Sequence, residues 1–156
     1  MTDSIDARLA QLGIRLPQAA APVAAYVPAV EAGGLLYISG QLPFREDGSL
    51  IVGLLGADYD VDHGREAAER CAVMLLAQMK KALGSLDRVE RIVKLGAFVA
   101  SEKHFTEQPK VANGASELME KVFGEAGRHA RAAVGVPVLP LGAAVEVDAI
   151  VAVTRD

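Results

Sequence analysis

Tryptophan is absent from this sequence, and other aromatic residues are scarce, with four phenylalanines and three tyrosines. A folded core therefore has to be built from alanine, valine and leucine, which is feasible because 51% of the residues are hydrophobic. The single cysteine, Cys71, excludes an internal disulfide, and we expect a reducing, cytoplasmic compartment. Because Cys71 lies on the apolar side of a predicted helix, we interpret it as a core residue and not as a nucleophile.

The chain also lacks the patterns of membrane, metal and cofactor sites. Its apolar runs are broken well before about 20 residues, and its acidic N-terminus has no apolar segment typical of a signal peptide. The three histidines and the cysteine show none of the short spacings of metal ligands, and no glycine-rich nucleotide motif occurs. We therefore expect no metal and no cofactor. The net charge of −4 makes wide contact with nucleic acid or an anionic membrane unexpected.

The length of 156 residues fits one compact domain. Residues 1–20 are predicted to form a short helix, capped by Asp3 or Ser4, followed by a connector rich in proline and alanine. Residues 21–156 then form the main domain. The whole chain is accordingly interpreted as a single domain with an N-terminal appendage.

The main domain alternates between strand and helix patterns. Its helices are predicted at residues 62–83, with Asp62 as the cap, and between Pro109 and Gly124. Its strands are predicted in residues 23–43 (a pair joined by a turn), 91–99, 131–138 and 143–153. This order indicates an α+β fold in which two long helices cover one face of a mixed sheet.

The opposite face of the sheet is predicted to be partly apolar, since it carries Ile92, Phe98 and Ile150. Such a face favours burial against other subunits. The alternative is a shallow sheet whose second face is open to solvent.

Arg131 is the most unusual candidate for a site, because it opens an apolar strand. Its planar guanidinium suits a two-pronged grip on a carboxylate or phosphate. Glu146 follows fifteen residues later, with a Leu-Pro turn about midway, so hairpin pairing is predicted to bring the two side chains together on adjacent strands. An equally reasonable interpretation of this pair is a partly buried salt bridge.

Three further polar residues have a functional and an ordinary interpretation. Tyr26, placed in the first predicted strand, either lines a site or is a half-buried strand aromatic. Asn113, the only asparagine, stands in the unusual helical string VANGAS and is otherwise a local cap. His129 is interpreted as a loop residue in preference to a general base.

Two stretches resemble the signatures of the RidA/YjgF family, also known as endoribonuclease L-PSP-like proteins. YVPAVEAGGLLYISGQLP resembles its N-terminal signature, and RAAVGVPVLPLGAAVEVDAI resembles its C-terminal signature. The resemblance runs from about Ala21 to the end of the chain. The N-terminal helix and a longer region at 100–114 point to a longer subgroup of the family.

The resemblance implies a chorismate-mutase-like α+β fold assembled as a homotrimer, with ligand clefts between subunits. It also implies hydrolysis of small carboxylate-bearing imines or enamines to 2-oxo acids and ammonia without a cofactor. In that scheme Arg131 holds the substrate carboxylate and Glu146 positions the attacking water, while Tyr26 and Gly40 line the cleft.

Two positions depart from the family pattern. A frequent cysteine is replaced by Ala133, so that contact with substrate there rests on backbone groups. The helical asparagine of the family aligns with Ser116, and Asn113 lies about one turn earlier. Both are kept as substrate-binding candidates.

Three functions remain open from the sequence. The first is the imine deaminase, and the second is a non-catalytic trimer that binds a small carboxylate metabolite through Arg131. The third, a ribonuclease, is suggested by the family's older label and by Arg128, His129 and Arg131. It is poorly supported, because the sequence has no basic surface or aromatic stacking row.

Overall fold

The computed structural model describes residues 4–19, 21–22 and 24–155. Within those ranges it contains three α-helices and one five-stranded sheet. The helices are α1 (Ile5–Gln11), α2 (Val61–Leu83) and α3 (Gln108–Phe123), and the strands are β1 (Ala29–Ala32), β2 (Leu35–Gln41), β3 (Val89–Ala100), β4 (Ala130–Val136) and β5 (Val145–Val153). The sheet order is β1-β2-β5-β3-β4, with β3 and β4 parallel and the other pairs antiparallel. The predicted α+β fold with a mixed sheet is confirmed.

The helices begin and end close to the predicted residues. At α2 the Asp60 carboxylate accepts a hydrogen bond from the backbone N–H of His63, so the cap lies two residues before the predicted Asp62. At α1 the Ser4 hydroxyl oxygen accepts from the backbone N–H of Ala7, while Asp3, the other predicted cap, lies outside the described residues. Helix α3 has proline in its first turn and ends before Gly124, as predicted.

Helices α2 and α3 pack against one face of the sheet and against each other. Gly114 explains the unusual string VANGAS, because a Cβ atom at this position would overlap the backbone carbonyl of Arg65. The glycine thus lets α3 approach α2 closely. Cys71 is fully buried where α2 packs on β5, and its interpretation as a core residue is confirmed.

The two faces of the sheet differ as the sequence pattern predicts, with one exception. Alternate residues of β5 from Val145 to Val153 are buried under the helices, and those between them are half-buried on the open face. Phe98 and Ile150 are also half-buried on the open face. Ile92 is wrongly placed by the sequence pattern: a bulge at Val93 turns Ile92 into the core, where it is fully buried.

The predicted pairing of the last two strands is wrong. The strand that carries Arg131, β4, pairs with the outer edge of β3, whereas β5 lies between β2 and β3. The turn at Pro140–Gly142 therefore belongs to a connection that passes β3 and does not close a hairpin. Tyr26 is also misplaced, because it lies in a bend ahead of β1 and outside the strand.

Helix α1 is held against the main domain by specific contacts. The backbone N–H of Ile5 donates to the Asp87 carboxylate at 2.9 Å, and Lys80 Nζ lies 3.1 Å from Asp6. Leu9 adds a buried side chain to the same core as the two long helices. In the described part of the chain, no helix combines the length and apolar character that a membrane crossing requires.

Candidate functional site

Arg131 is held by one face of helix α3. Its Nη1 donates to Asn113 Oδ1 at 2.8 Å and to Ser116 Oγ at 3.1 Å, and its Nη2 donates to the backbone carbonyl of Pro109 at 3.3 Å. These acceptors are four and then three residues apart, which places them along one side of the helix. Within the described residues no carboxylate pairs with Arg131. The guanidinium is therefore rigidly mounted on neutral oxygen atoms and keeps its positive charge available for an anion.

Ser116 links Arg131 to His129. The Ser116 Oγ lies 2.8 Å from His129 Nε2, and His129 Nδ1 lies 2.6 Å from the backbone carbonyl of Gly127. We refer to Asn113, Ser116, His129 and Arg131 as the Arg131 cluster. His129 lies in the loop directly before β4, as predicted, but the sequence did not predict its contact with Ser116.

A cavity of about 230 Å³ lies beside the Arg131 cluster, and Glu120, Gly127 and Arg128 complete its lining. Burial is the main cause that lowers the pKa of His129 from its ordinary value, and the charge of Arg131 acts in the same direction. The hydrogen bond to Gly127 and the charge of Glu120 oppose this shift. The balance favours a neutral imidazole beside a cationic guanidinium.

Glu146 lies on the opposite face of the sheet, against Gly40. A Cβ atom at Gly40 would overlap the carboxylate of Glu146, so any larger residue there would require this side chain to move. Gly40 and Tyr26 both line a cavity of about 280 Å³, together with apolar residues that include Phe44 and Leu141. We refer to Gly40 and Glu146 as the Glu146 cluster, and Tyr26 is linked to it only through the cavity that it shares with Gly40.

The carboxyl group of Glu146 is disposed to hold a proton more readily than an exposed one. Burial is the main cause that raises its pKa, and the nearby negative charge of Asp148 raises it further. Burial likewise raises the pKa of Asp148, against the opposing effects of its hydrogen bond with the Gly96 backbone and the charge of Lys94. A carboxyl group whose pKa moves toward neutrality is suited to accept and return a proton.

The structure brings the predicted site residues together in two separate clusters. Arg131 is in register with Leu95, which is buried under the helices, whereas Glu146 is in register with Phe98 on the open face. Strand β3 and the thickness of the sheet thus separate the two side chains within one chain. A salt bridge between Arg131 and Glu146 is excluded in this arrangement.

Ala133 follows Arg131 on the same face of β4 and packs partly against the core. It is in register with the buried Ala97. The position thus offers backbone groups and a methyl group, without a polar side-chain atom. Among the described residues, no group of three or more His, Cys, Asp or Glu side chains is arranged to hold a metal ion.

Comparison with known proteins gives a consistent family relationship. Residues 6–152 match the family described as "YjgF/chorismate_mutase-like, putative endoribonuclease". Protein TCP17 of Trypanosoma cruzi is 56% identical over 148 residues, which cover 94% of this chain and 92% of that protein. A RutC family protein of Aquifex aeolicus is 33% identical over 137 residues, covering 86% of this chain and 94% of that protein.

Solved structures show the same similarity in three dimensions. Atu1372 of Agrobacterium tumefaciens, a protein of unknown function, is 51% identical and has a TM-score of 0.89, with 97% of this chain and 95% of that one covered. RidA of the Antarctic bacterium Psychrobacter is 31% identical and has a TM-score of 0.62, with 87% and 94% covered.

Proposed function

Because this chain belongs to the YjgF/chorismate mutase-like family, which includes a protein named RidA, we propose that it hydrolyses small 2-imino acids to 2-oxo acids and ammonia. The observation that carries this proposal is the mounting of Arg131. Its guanidinium is fixed by Asn113, Ser116 and a backbone carbonyl, and within the described residues it has no carboxylate partner. A small substrate carboxylate supplies the missing anion.

The active site is proposed to form between subunits of a homotrimer. Within one chain the Arg131 cluster and the Glu146 cluster lie on opposite faces of the sheet. The open face also exposes apolar side chains, with Tyr37 at 44% and Val134 at 46% exposure. Burial of this face against a neighbouring copy removes apolar surface from water and can join the two clusters across the interface.

The chemistry requires little more than positioning and proton transfer. Arg131 holds the substrate carboxylate through two hydrogen bonds, which fixes the imine carbon beside it. Glu146 of the neighbouring subunit accepts a proton from the attacking water, a role that its raised pKa favours. Tyr26 and the apolar cavity beside Gly40 accommodate the rest of the substrate. No step in this scheme needs a metal or a cofactor.

The proposal is tested by generating 2-imino acids with an amino-acid oxidase and following their loss in the presence of the purified protein. We expect a rate above that of buffer, and a decrease of about 100-fold or more in kcat/KM for Arg131→Lys, because lysine keeps the charge but loses the planar fork. Arg8→Lys is the matched control, since Arg8 donates to the backbone carbonyl of Lys121, near the end of α3 and outside the Arg131 cluster.

Two outcomes contradict the proposed deaminase activity. The first is a wild-type rate equal to that of buffer, and the second is an Arg131→Lys rate equal to that of the wild type. If the wild-type rate equals that of buffer and calorimetry shows that a 2-oxo acid binds to the wild type and not to Arg131→Lys, the protein binds carboxylates without turnover. A ribonuclease is less supported, since the net charge is −4 and His129 is engaged by Ser116 and Gly127.

A further inference from the structure

The hydrogen bonds around His129 fix which of its nitrogen atoms can take up a proton. A carbonyl oxygen only accepts hydrogen bonds, so His129 Nδ1, 2.6 Å from the Gly127 carbonyl, must carry a hydrogen. In the neutral ring, Nε2 is then an acceptor, and the Ser116 hydroxyl 2.8 Å away donates to it. The Oγ atom of Ser116 in turn accepts from Arg131 Nη1 at 3.1 Å. This leaves one lone pair of Ser116 Oγ for a ligand or water in the cavity.

His129, Ser116 and Arg131 are thus arranged as a base, a hydroxyl group that connects it to the substrate, and a group that binds the substrate carboxylate. A side chain is recognised as a base when it lies within hydrogen-bond reach of its partner and is oriented by a third group. Here His129 is the base, Ser116 is its partner, and the Gly127 carbonyl orients the imidazole. The cavity of about 230 Å³ gives a small molecule access to Ser116.

The charges near His129 come from every element packed around it. Arg131 on β4 and Arg128 at the end of the preceding turn are positive, and Glu120 on α3 is negative. Arg91 on β3 reaches the same region, because its guanidinium donates to the Arg128 backbone carbonyl at 2.7 Å. Burial and the charge of Arg131 lower the pKa of His129, so the imidazole is ready to accept a proton at neutral pH.

Hydrolysis of an imine releases two protons from oxygen. Water attacks the protonated imine carbon, a C–O bond forms, and the first proton leaves the water. In the second stage the carbinolamine hydroxyl loses its proton, the carbonyl forms, and the C–N bond breaks as the nitrogen leaves. Glu146 accepts the first proton and returns it to the nitrogen in the second stage, and no residue assigned so far accepts the second.

We propose that Ser116 and His129 form a proton relay that accepts this second proton, an inference that rests on the proposed deaminase function. The hydroxyl proton of the carbinolamine moves to Ser116 Oγ as the Ser116 proton moves to His129 Nε2. Ammonia leaves with the electron pair of the C–N bond, and the imidazolium then passes its proton to ammonia or to solvent. One water is consumed, and a 2-oxo acid and an ammonium ion are produced.

The position of Ser116 suits this role. The reacting carbon is bonded directly to the carboxylate that Arg131 holds, so its hydroxyl lies next to the guanidinium. Ser116 Oγ is 3.1 Å from Arg131 Nη1 and lines the same cavity as Arg131, so a substrate bound in this cavity lies within reach of the Ser116 hydroxyl. Among the residues that the structure describes, the side-chain oxygen of Asn113 contacts no histidine, so Asn113 serves to orient the guanidinium.

The pH dependence of kcat tests the relay. Glu146 and His129 must both be unprotonated at the start, so the logarithm of kcat falls with a slope of about two at acid pH in the wild type and about one in His129→Gln. In His129→Gln we expect kcat to fall about 100-fold at neutral pH with little change in KM, because Arg131 still binds the carboxylate. We expect Ser116→Thr to keep activity, because it keeps the hydroxyl group, and Ser116→Ala to lose activity. The control is His104→Gln, which changes an exposed histidine and should match the wild type.

A second measurement does not depend on activity. The chain has three histidines, so nitrogen-15 NMR of the wild type and of His129→Gln assigns the His129 ring directly. We expect the Nδ1-protonated neutral form and a titration midpoint below the ordinary histidine value. An Nε2-protonated ring, or an unchanged acid slope in His129→Gln, overturns the relay while leaving the deaminase intact. A wild type with the expected ring form but no imine hydrolysis contradicts the proposed function itself.

Discussion

Glu146 packs its carboxylate directly against the backbone of Gly40. A methyl group at Gly40 would occupy the same space as the carboxylate, so the two residues are matched in size. The contact holds Glu146 on the open face of the sheet, beside the cavity that Tyr26 and Gly40 line. Gly40 therefore determines where the carboxylate can act.

Gly40→Ala is expected to displace Glu146 and to reduce kcat by about 100-fold, since a shift of roughly 1 Å in a reacting group has this effect. Any loss in the free energy of unfolding should lie at the low end of the roughly 1–3 kcal/mol typical of overpacking, because the atoms that must move belong to the flexible Glu146 side chain. Gly96→Ala is the matched control, because a Cβ atom there would meet the Asp148 carboxylate on the same face.

Denaturant unfolding and steady-state kinetics separate the two effects. We expect both alanine variants to lose similar stability and only Gly40→Ala to lose activity. Equal activity losses in the two variants would show that the effect comes from general distortion of the sheet.

Glu146→Gln is expected to stabilise the fold at neutral pH while it lowers activity. Because the folded protein raises the pKa of Glu146, its charged form is disfavoured by folding. Protonated Glu146 therefore favours the folded state. This contribution to stability is fully present below the ordinary glutamate pKa, and it is lost as the pH rises through the pKa of Glu146 in the folded protein. The variant should therefore unfold about 1–3 °C higher than the wild type at pH 7, a small effect because the group is partly exposed to solvent.

Thermal scans at two pH values check this sign. Below about pH 4 the carboxyl is protonated in both states, and the difference between Glu146→Gln and the wild type should vanish. Asp148→Asn should behave in the same way, since burial raises the pKa of Asp148 as well. If the wild type is more stable than Glu146→Gln at pH 7, the pKa of Glu146 is not raised in the folded protein.

Val134→Glu is expected to dissociate the proposed trimer. Val134 is exposed in the single chain and lies beside Phe98 on the open face, so a charge there opposes burial against a second copy. Sedimentation should give three copies for the wild type and for the near-isosteric Val134→Thr, and one copy for Val134→Glu. A wild type that sediments as a monomer would contradict the proposed interface.

The sequence was sufficient to predict the elements but not all of their neighbours. The apolar periodicity of α2, α3 and β5 gave their positions closely, because one face of each is buried by the same core. The order of β4 and β5 in the sheet depends on which edge of β3 each strand occupies. The spacing of residues along the chain does not determine that edge. The exposure pattern of β4, with Gly135 and Val134 open to solvent, is that of an edge strand.

The site could be predicted in part for the same reason. Arg131, Asn113 and Ser116 come together because α3 packs against β4, a contact that helix and strand periodicity implies. The role of His129 depends on a turn at Gly124–Gly127, which aims the ring back at Ser116. Such turn geometry follows from tertiary packing and is not visible as a pattern in the residues.

The central claim is that one active site takes its arginine from one subunit and its glutamate from another. Mixed trimers of Arg131→Ala and Glu146→Gln, made by unfolding and refolding the two inactive variants together, test it most directly. Each mixed site has both native residues in about one of four random combinations, so about a quarter of wild-type activity should return. Activity no greater than the sum of the separate variants would contradict a shared site.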